Sequence, residues 1–445
     1  MLVNRWTTAP PGVIMSFQSM YRERRREASA AVRLVQDGDT IVVPIAAGEP
    51  PALLRALSEQ RREFRGVTVF QMLPLHQHDY FDPATTEHVR HSSPFLGGPN
   101  RAGVHEGWID VVPAHFSEVP RLIRRGLVPA DVVFAHASPM SEDGMLAIGL
   151  SPDYAMAAIE KARTVVLEVN PQVPFAHGPC RVHVSQVTAV VENDEPLIEI
   201  PSTTIGEVER AIAGYVGELV PDGATLQIGI GAIPDAVVQQ LASKRDLGIH
   251  TEMFGDGILS LLEAGVATNR RKNRHPGVTI ATFALGSHRL YDYLDDNPSV
   301  QMHPVDVTND PVLAGQNDRL HSINGSLQVD LVGQCGSESL AHRPYSGTGG
   351  QFDFVRAANR SEGGRSFIVL PSTAKGGTIS RIAPTLAPGT HVTTGKNDVD
   401  HVVTEYGVAR LRGRSARQRA QALIAIAHPD FRAELTEAAE QLRLV

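Results

Sequence analysis

The amino-acid sequence predicts an α/β protein of two related open α/β/α domains with mainly parallel sheets, residues 1–205 and 206–445. Three observations predict it. Short apolar runs alternate with helical patterns along most of the chain, the order of βα units rather than of hairpins. One such unit recurs: Val35-Gln-Asp-Gly-Asp-Thr-Ile-Val-Val43 leads into Glu49-Pro-Pro-Ala-Leu-Leu-Arg-Ala-Leu57, and Val220-Pro-Asp-Gly-Ala-Thr-Leu-Gln-Ile228 leads into Ile233-Pro-Asp-Ala-Val-Val-Gln-Gln-Leu241. Finally, 445 residues exceed one ordinary core and fit two.

Each copy of the repeat reads as an Asp-Gly turn, a strand, a loop of small residues and a helix with proline in its first turn. The two align with a single one-residue gap, which points to duplication. Between them, Asn193-Asp-Glu-Pro196 and Pro201-Ser-Thr-Thr204 flank a short apolar run at 197–200 and read as the linker. The boundary therefore falls between Glu195 and Gly206, and a helix over 207–219 opens the second half.

Glycine is uneven across that boundary: 12 precede Gly206 and 27 lie from Gly206 onward, nine of them between Gly333 and Gly377. Dense glycine permits close approach of backbone to a ligand, so the chemistry is expected in the second half. Four segments there are candidates. Gly229-Ile-Gly-Ala-Ile-Pro-Asp235 follows a strand over 225–228 and opens a helix; its free N–H groups suit a phosphate or an oxyanion, although it lacks both the third glycine of a dinucleotide motif and the Lys-Ser/Thr of a P-loop. Gly248-Ile-His-Thr-Glu-Met-Phe-Gly-Asp-Gly257 reads as a strand over 249–254 followed by a helix. It puts Glu252 near the C-terminal end of a strand, where open α/β sheets bind ligands and where an ionised carboxylate can act as a nucleophile. His250 and Asp256 read equally well as structural residues bonded to backbone. Arg343-Pro-Tyr-Ser-Gly-Thr-Gly-Gly-Gln-Phe-Asp-Phe354 holds a glycine loop between order-prone aromatics. Pro371-Ser-Thr-Ala-Lys-Gly-Gly-Thr-Ile-Ser-Arg381 follows a strand over 367–370 and offers Lys375 or Arg381 to a phosphate.

Composition excludes several classes. A net charge of -8 argues against a general nucleic-acid binder, and 42% hydrophobic with 20% charged residues argues against disorder. Cys180 and Cys335 match no metal or redox spacing, and reduced cysteines fit the cytosol. No apolar run approaches the roughly 18 residues of a membrane span, and Met1 to Gln18 lacks the apolar core of a signal peptide. Arg22-Glu-Arg-Arg-Arg26 reads as a solvated helix face. His76-x-His78 and His88-x-x-His91 read as loop or core histidines rather than a metal set, and no Gly-x-Ser-x-Gly elbow occurs.

Taken together and in this order, the segments resemble the acetyl-CoA hydrolase/transferase family of class I CoA-transferases, above all its 4-hydroxybutyrate and butyrate branch. The likeness covers nearly the whole chain. In the first half it rests on Ala46-Ala-Gly-Glu-Pro50, Ser138-Pro-Met-Ser-Glu-Asp-Gly144 and Glu168-Val-Asn-Pro-Gln172. In the second it rests on Gly229-Ile-Gly-Ala-Ile-Pro-Asp-Ala236, His250-Thr-Glu-Met-Phe254, Ser346-Gly-Thr-Gly-Gly-Gln-Phe-Asp-Phe354, Leu370-Pro-Ser-Thr-Ala-Lys-Gly-Gly-Thr378 and Val403-Thr-Glu-Tyr-Gly407. Three stretches depart from the family pattern: Gly255 where Ser or Thr is usual, Cys335-Gly336 for Asn-Ala, and Arg343-Pro-Tyr345 for an Arg-Gln-Phe-like run. They bear on acyl preference.

The resemblance implies two α/β domains with the active site in the cleft between them and Glu252 as catalytic glutamate. It implies that Gly229, Ile230, Gly231, Ala232 and Ile233 form a CoA-contacting loop, with the Ile230 N–H in the oxyanion site beside Gly350. Asn324, Ser346, Gly347, Gly349, Gly350 and Lys375 match further CoA-binding positions, and Glu405 matches a second glutamate of open role. The implied activity is ping-pong transfer of CoA between a short-chain acyl-CoA and a free carboxylate through a glutamyl-CoA thioester. Butyrate, 4-hydroxybutyrate and acetate are the expected acids, with itaconate or succinate as alternatives. Acyl-CoA hydrolysis by the same glutamate and non-catalytic CoA sensing remain alternative readings. CoA enters as substrate, with no tightly bound cofactor and no metal; a homodimer or homotetramer in the cytoplasm is expected, with neither nucleic-acid nor membrane partners.

Overall fold

A computed structural model describes residues 16–201 and 203–445; most of the segment read for a signal peptide, and Ser202 of the linker, lie outside them. The described residues build two main sheets. The first orders its seven strands Asp110–Val111, Val89–Ser93, Val67–Gln71, Thr40–Val43, Val132–Ala137, Thr164–Val169 and Ala189–Glu192, every neighbouring pair parallel. The second orders six strands Gly248–Ile249, Thr225–Ile228, Leu320–Gly325, Arg365–Val369, His401–Thr404 and Gly407–Arg410, parallel except for the last pair. Central strands such as Thr40–Val43 and Thr225–Ile228 are buried throughout, as parallel strands covered on both faces must be.

The internal repeat is equally visible in three dimensions. Asp37 Oδ1 accepts from the Arg65 N–H at 2.8 Å while the Gly38 N–H donates to Arg65 O at 2.9 Å. In the second copy Asp222 Oδ1 accepts from the Arg245 N–H at 2.9 Å and the Gly223 N–H donates to Arg245 O at 2.9 Å. Gly38 and Gly223 take φ of +81° and +71°, a conformation a side chain would resist. The strands that follow each lie between two parallel neighbours, and lead to Pro51–Gln60 and Ala232–Gln240. Between Glu192 and Glu207 the described residues hold no helix or strand, and the expected helix opens the second half as Glu207–Leu219.

The halves share one apolar core, which runs from Val42 and Val133 through Ile148 and Leu150 to Ile228, Phe254, Phe283 and Ile323. Backbone bonds cross between them: the Ala284 N–H donates to Leu150 O at 2.8 Å and the Val305 N–H to Asp153 O at 3.1 Å. Among the described residues no helix is long and apolar enough to cross a membrane.

Candidate functional site

Four of the second-half segments singled out by sequence leave the C-terminal ends of parallel strands. Gly229 follows Thr225–Ile228, Glu252 lies just past Gly248–Ile249, Pro371 follows Arg365–Val369, and Glu405 follows His401–Thr404. The glycine loop Ser346–Gly350 instead caps the helix Gln351–Arg360, which runs back into Arg365–Val369. A helix connecting parallel strands begins at the edge where those strands end, so this helix N-terminus joins the same rim.

The expected continuous strand over 249–254 is broken. Gly248–Ile249 pairs with the main sheet, Met253–Phe254 pairs with Phe283–Ala284, and Glu252 occupies a bend between them. The reason is a change of partners. The His250 N–H still bonds Leu226 O, whereas the Thr251 N–H turns to Ile280 O and the Glu252 carbonyl accepts from Thr282 and Phe283. The bend frees the Glu252 side chain from the sheet and aims it at the glycine loop. A Cβ on Gly350 would overlap the Glu252 carboxylate and the Asn309 amide, so glycine is what admits this approach.

Glu252 Oε2 accepts from Asn309 Nδ2 at 2.6 Å. Part of the side chain meets solvent, but the carboxyl, which is the group that titrates, is enclosed. Burial therefore raises its pKa to about 7, and the negative charge of Asp353 acts in the same direction. The Asn309 amide and the Gly350 N–H oppose them by bonding the charged form. The result is a carboxyl whose pKa lies near neutrality, held by the Asn309 amide and the Gly350 N–H.

His250 and Asp256 support this arrangement from behind. His250 Nε2 lies 2.7 Å from Thr308 O, and burial, with Lys272 nearby, lowers its pKa to about 3, so it is a neutral N–H donor. It thereby ties the bend to the segment that carries Asn309. Asp256 accepts from the Ser287 N–H at 2.8 Å and from its hydroxyl at 2.5 Å. Both are structural, one of the two readings the sequence left open. Lys272 is buried and spends its ammonium on Ile249 O at 2.7 Å and Val278 O at 2.6 Å, holding the strand that precedes the bend.

The other expected positions differ in availability. Thr251 Oγ1 lies 3.3 Å from the Ile228 N–H, which sets the Gly229 loop beside the Glu252 bend. Within that loop the Gly229 N–H is taken by Ile323 O at 2.9 Å; Ile230 is 52% exposed, Gly231 caps the helix at φ +119°, and Ala232 and Ile233 form its first turn. Asn324 is buried and its amide pairs with Gln227 at 3.0 and 3.2 Å, so the side chain is already committed. The Ser346 N–H donates to Glu338 O, and Gly347 is pressed against the backbone of Pro94 and Phe95 from the first half. Gly349 lies against the Phe95 ring. Lys375 stands exposed at the tip of the hairpin formed by Thr373–Ala374 and Ile379–Ser380, whereas Arg381 is half-buried and donates to Thr373 O and Leu327 O. Glu405 accepts from the Ser372 N–H at 2.8 Å and its hydroxyl at 2.5 Å, anchoring the base of that hairpin.

Sequence reasoning missed Asn309, Ser117 and the role of Asp353. Asn309 lies 57 residues from Glu252 in the chain, and no local pattern marks it. Asp353 stood inside a recognised segment, but its partner Ser117 comes from the other half. The histidines set aside as structural make local contacts: His76 pairs with Glu49, His88 bonds Phe64 O and His91 bonds Asn100.

Comparison with known proteins agrees with this geometry. The acetyl-CoA hydrolase/transferase N-terminal domain matches residues 14–200 and its C-terminal domain residues 286–439. The chain is 51% identical to the succinyl-CoA:cyclohexane-1-carboxylate CoA transferase of Geobacter metallireducens, over 97% of this chain and 98% of that one. It is 43% identical to the 4-hydroxybutyrate coenzyme A transferase of Clostridium kluyveri, over 95% and 98%. The crystal structure of RipA from Yersinia pestis superposes with a TM-score of 0.92 at 37% identity, covering 97% of this chain and all of that one. With both family domains matched in order and relatives of this identity along nearly its full length, the chain belongs to the acetyl-CoA hydrolase/transferase family and is an enzyme of the CoA-transferase kind.

Proposed function

We propose that the protein moves CoA between an acyl-CoA and a free carboxylate by a ping-pong route on Glu252. The observation that carries this reading is the Glu252 carboxylate, enclosed at a strand end between the Gly229 and Gly350 loops and tuned to about 7. The ionised carboxylate attacks the thioester carbonyl, the C–S bond breaks and CoA leaves as thiolate, giving an acyl–glutamyl anhydride. The thiolate then attacks the glutamyl carbonyl and releases the acyl group as free carboxylate. An incoming acid reverses both steps. No net proton moves, and each covalent state keeps the energy of the thioester, which a serine ester would not. Backbone N–H groups of Ile230 and Gly350 hold the oxyanion, each worth about 3 kcal/mol of barrier. Binding of the CoA tail along the Gly229–Ile233, Ser346–Gly350 and Lys375 segments supplies orientation. CoA is substrate throughout rather than a resident cofactor.

The acid is drawn from those the relatives' names give, cyclohexane-1-carboxylate with succinyl-CoA as donor in the 51%-identical transferase and 4-hydroxybutyrate in the 43%-identical one. The same reading divides the chain into domains 1–205 and 206–445 and expects a cytoplasmic homo-oligomer. Because part of Glu252 meets solvent, water is a competing acceptor, and acyl-CoA hydrolysis is the second reading. The experiment mixes protein and acyl-CoA, traps with borohydride and maps the product. Modification at Glu252 and loss of transfer in Glu252→Ala are expected; full transfer by that variant overturns the assignment. CoA release that needs an added carboxylate marks transfer, and release without one marks hydrolysis.

A further inference from the structure

The segment that meets Glu252 is held from the opposite half of the molecule. The turn His115–Ser117 of the first half grips Gly349–Asp353 of the second at three points. The Phe116 N–H donates to Gly349 O at 3.1 Å, and the His115 ring stacks on Phe352 with centroids 4.7 Å apart and planes 19° apart. Ser117 donates both its N–H, at 3.1 Å, and its hydroxyl, at 2.8 Å, to the Asp353 carboxylate. An aspartate in the first turn of a helix ordinarily serves that helix's own N–H groups. Here, among the described residues, both hydrogen bonds to the buried carboxyl of Asp353 come from Ser117.

We propose that Asp353 is a positioning residue: clasped by Ser117 of the first half, it fixes the Gly349–Gly350 turn against Glu252. This rests on Glu252 as nucleophile. Without the Ser117 hydroxyl the buried Asp353 carboxylate keeps one of its two donors, so the turn it carries is held less firmly. The charge of Asp353 lies close enough to disfavour the ionised form of Glu252, and the Gly350 N–H faces the Glu252 carboxyl. The charged and titratable groups around Asp353 are Glu252, His115 and Glu118; Glu118 raises its proton affinity along with burial, and His115 lowers it.

The test uses the full chain with two substitutions, each assayed for kcat, KM, pH profile and borohydride labelling of Glu252. Ser117→Ala keeps the N–H but removes the hydroxyl; kcat should fall roughly tenfold while KM for acyl-CoA changes by less than about twofold. Asp353→Asn keeps the shape but removes the charge; the acid limb of kcat/KM should move to lower pH by about half a unit or more. A merely structural role lowers the melting temperature and leaves both readouts at wild-type values, and that result overturns the clasp while labelled Glu252 stands. Wild-type protein that gives no label at Glu252 overturns both readings. If Asp353→Asn does not fold, the kcat-against-KM split in Ser117→Ala decides alone.

Discussion

At the scale of single residues, the site turns on what Gly350 lacks. Its backbone angles, φ -97° and ψ 6°, are open to residues other than glycine, so alanine there would strain no turn. The added methyl would instead meet the Glu252 carboxylate and the Asn309 amide. Gly350→Ala should therefore fold with a melting temperature near that of the wild type yet lose about 10²-fold in kcat/KM, the effect of moving a reacting group by about 1 Å. Wild-type turnover would show that the approach of Gly350 to Glu252 is irrelevant to catalysis. The glycine was legible in the sequence as part of a loop, but the reason for it was not, because the side chain it accommodates lies 98 positions away.

At the scale of elements, two short helices begin at the rim that carries Glu252, and each has a glycine at its start for a different reason. Gly231 caps Ala232–Gln240 at φ +119°, where a Cβ would meet nothing within 4 Å. The restriction is therefore one of backbone alone. Gly231→Ala should destabilise the protein by about 1–3 kcal/mol in urea unfolding, through strain rather than a clash. Relief of that strain by shifting the loop should raise KM for acyl-CoA more than it lowers kcat. An unchanged urea midpoint together with unchanged KM would contradict both points. The strand over 225–228, the helix over 207–219 and the glycine turn between strand and helix were readable, because periodicity, Asp-Gly and proline act locally. The break in 249–254 was not: its residues alternate acceptably for one strand, and only competition between Leu226, Ile280, Thr282 and Phe283 for their backbone groups decides otherwise.

At the scale of the whole molecule, burying carboxyls in a shared core links stability to pH. Burial raises Glu252 from 4.5 to about 7 and Asp153 to about 7. A carboxyl whose folded pKa lies above its unfolded value binds more protons when folded, so its contribution to stability falls as pH rises from about 4 to about 7. Lys272, lowered to about 7 by burial, acts with the opposite sign at higher pH: its contribution grows as pH rises from 7 toward 10.5. Glu252→Gln removes one carboxyl from this balance. Its melting temperature, compared with that of the wild type, should improve progressively from pH 5 to pH 8; a difference constant across that range would place the Glu252 pKa at its ordinary value.

The sequence by itself determined the α/β class, the duplicated unit, the helix Glu207–Leu219 and the family, because each depends on patterns a few residues long or on several motifs in a fixed order. It also singled out Glu252 and the glycine loops. Tertiary structure alone decided that Glu252 sits in a bend rather than a strand, that Asn309 supplies its amide to the Glu252 carboxylate, and that Ser117 of one half holds Asp353 of the other. Hydrogen bonds and enclosure act over a few ångströms of space, and residues separated by 57 or 236 positions meet at that range only after the chain has folded.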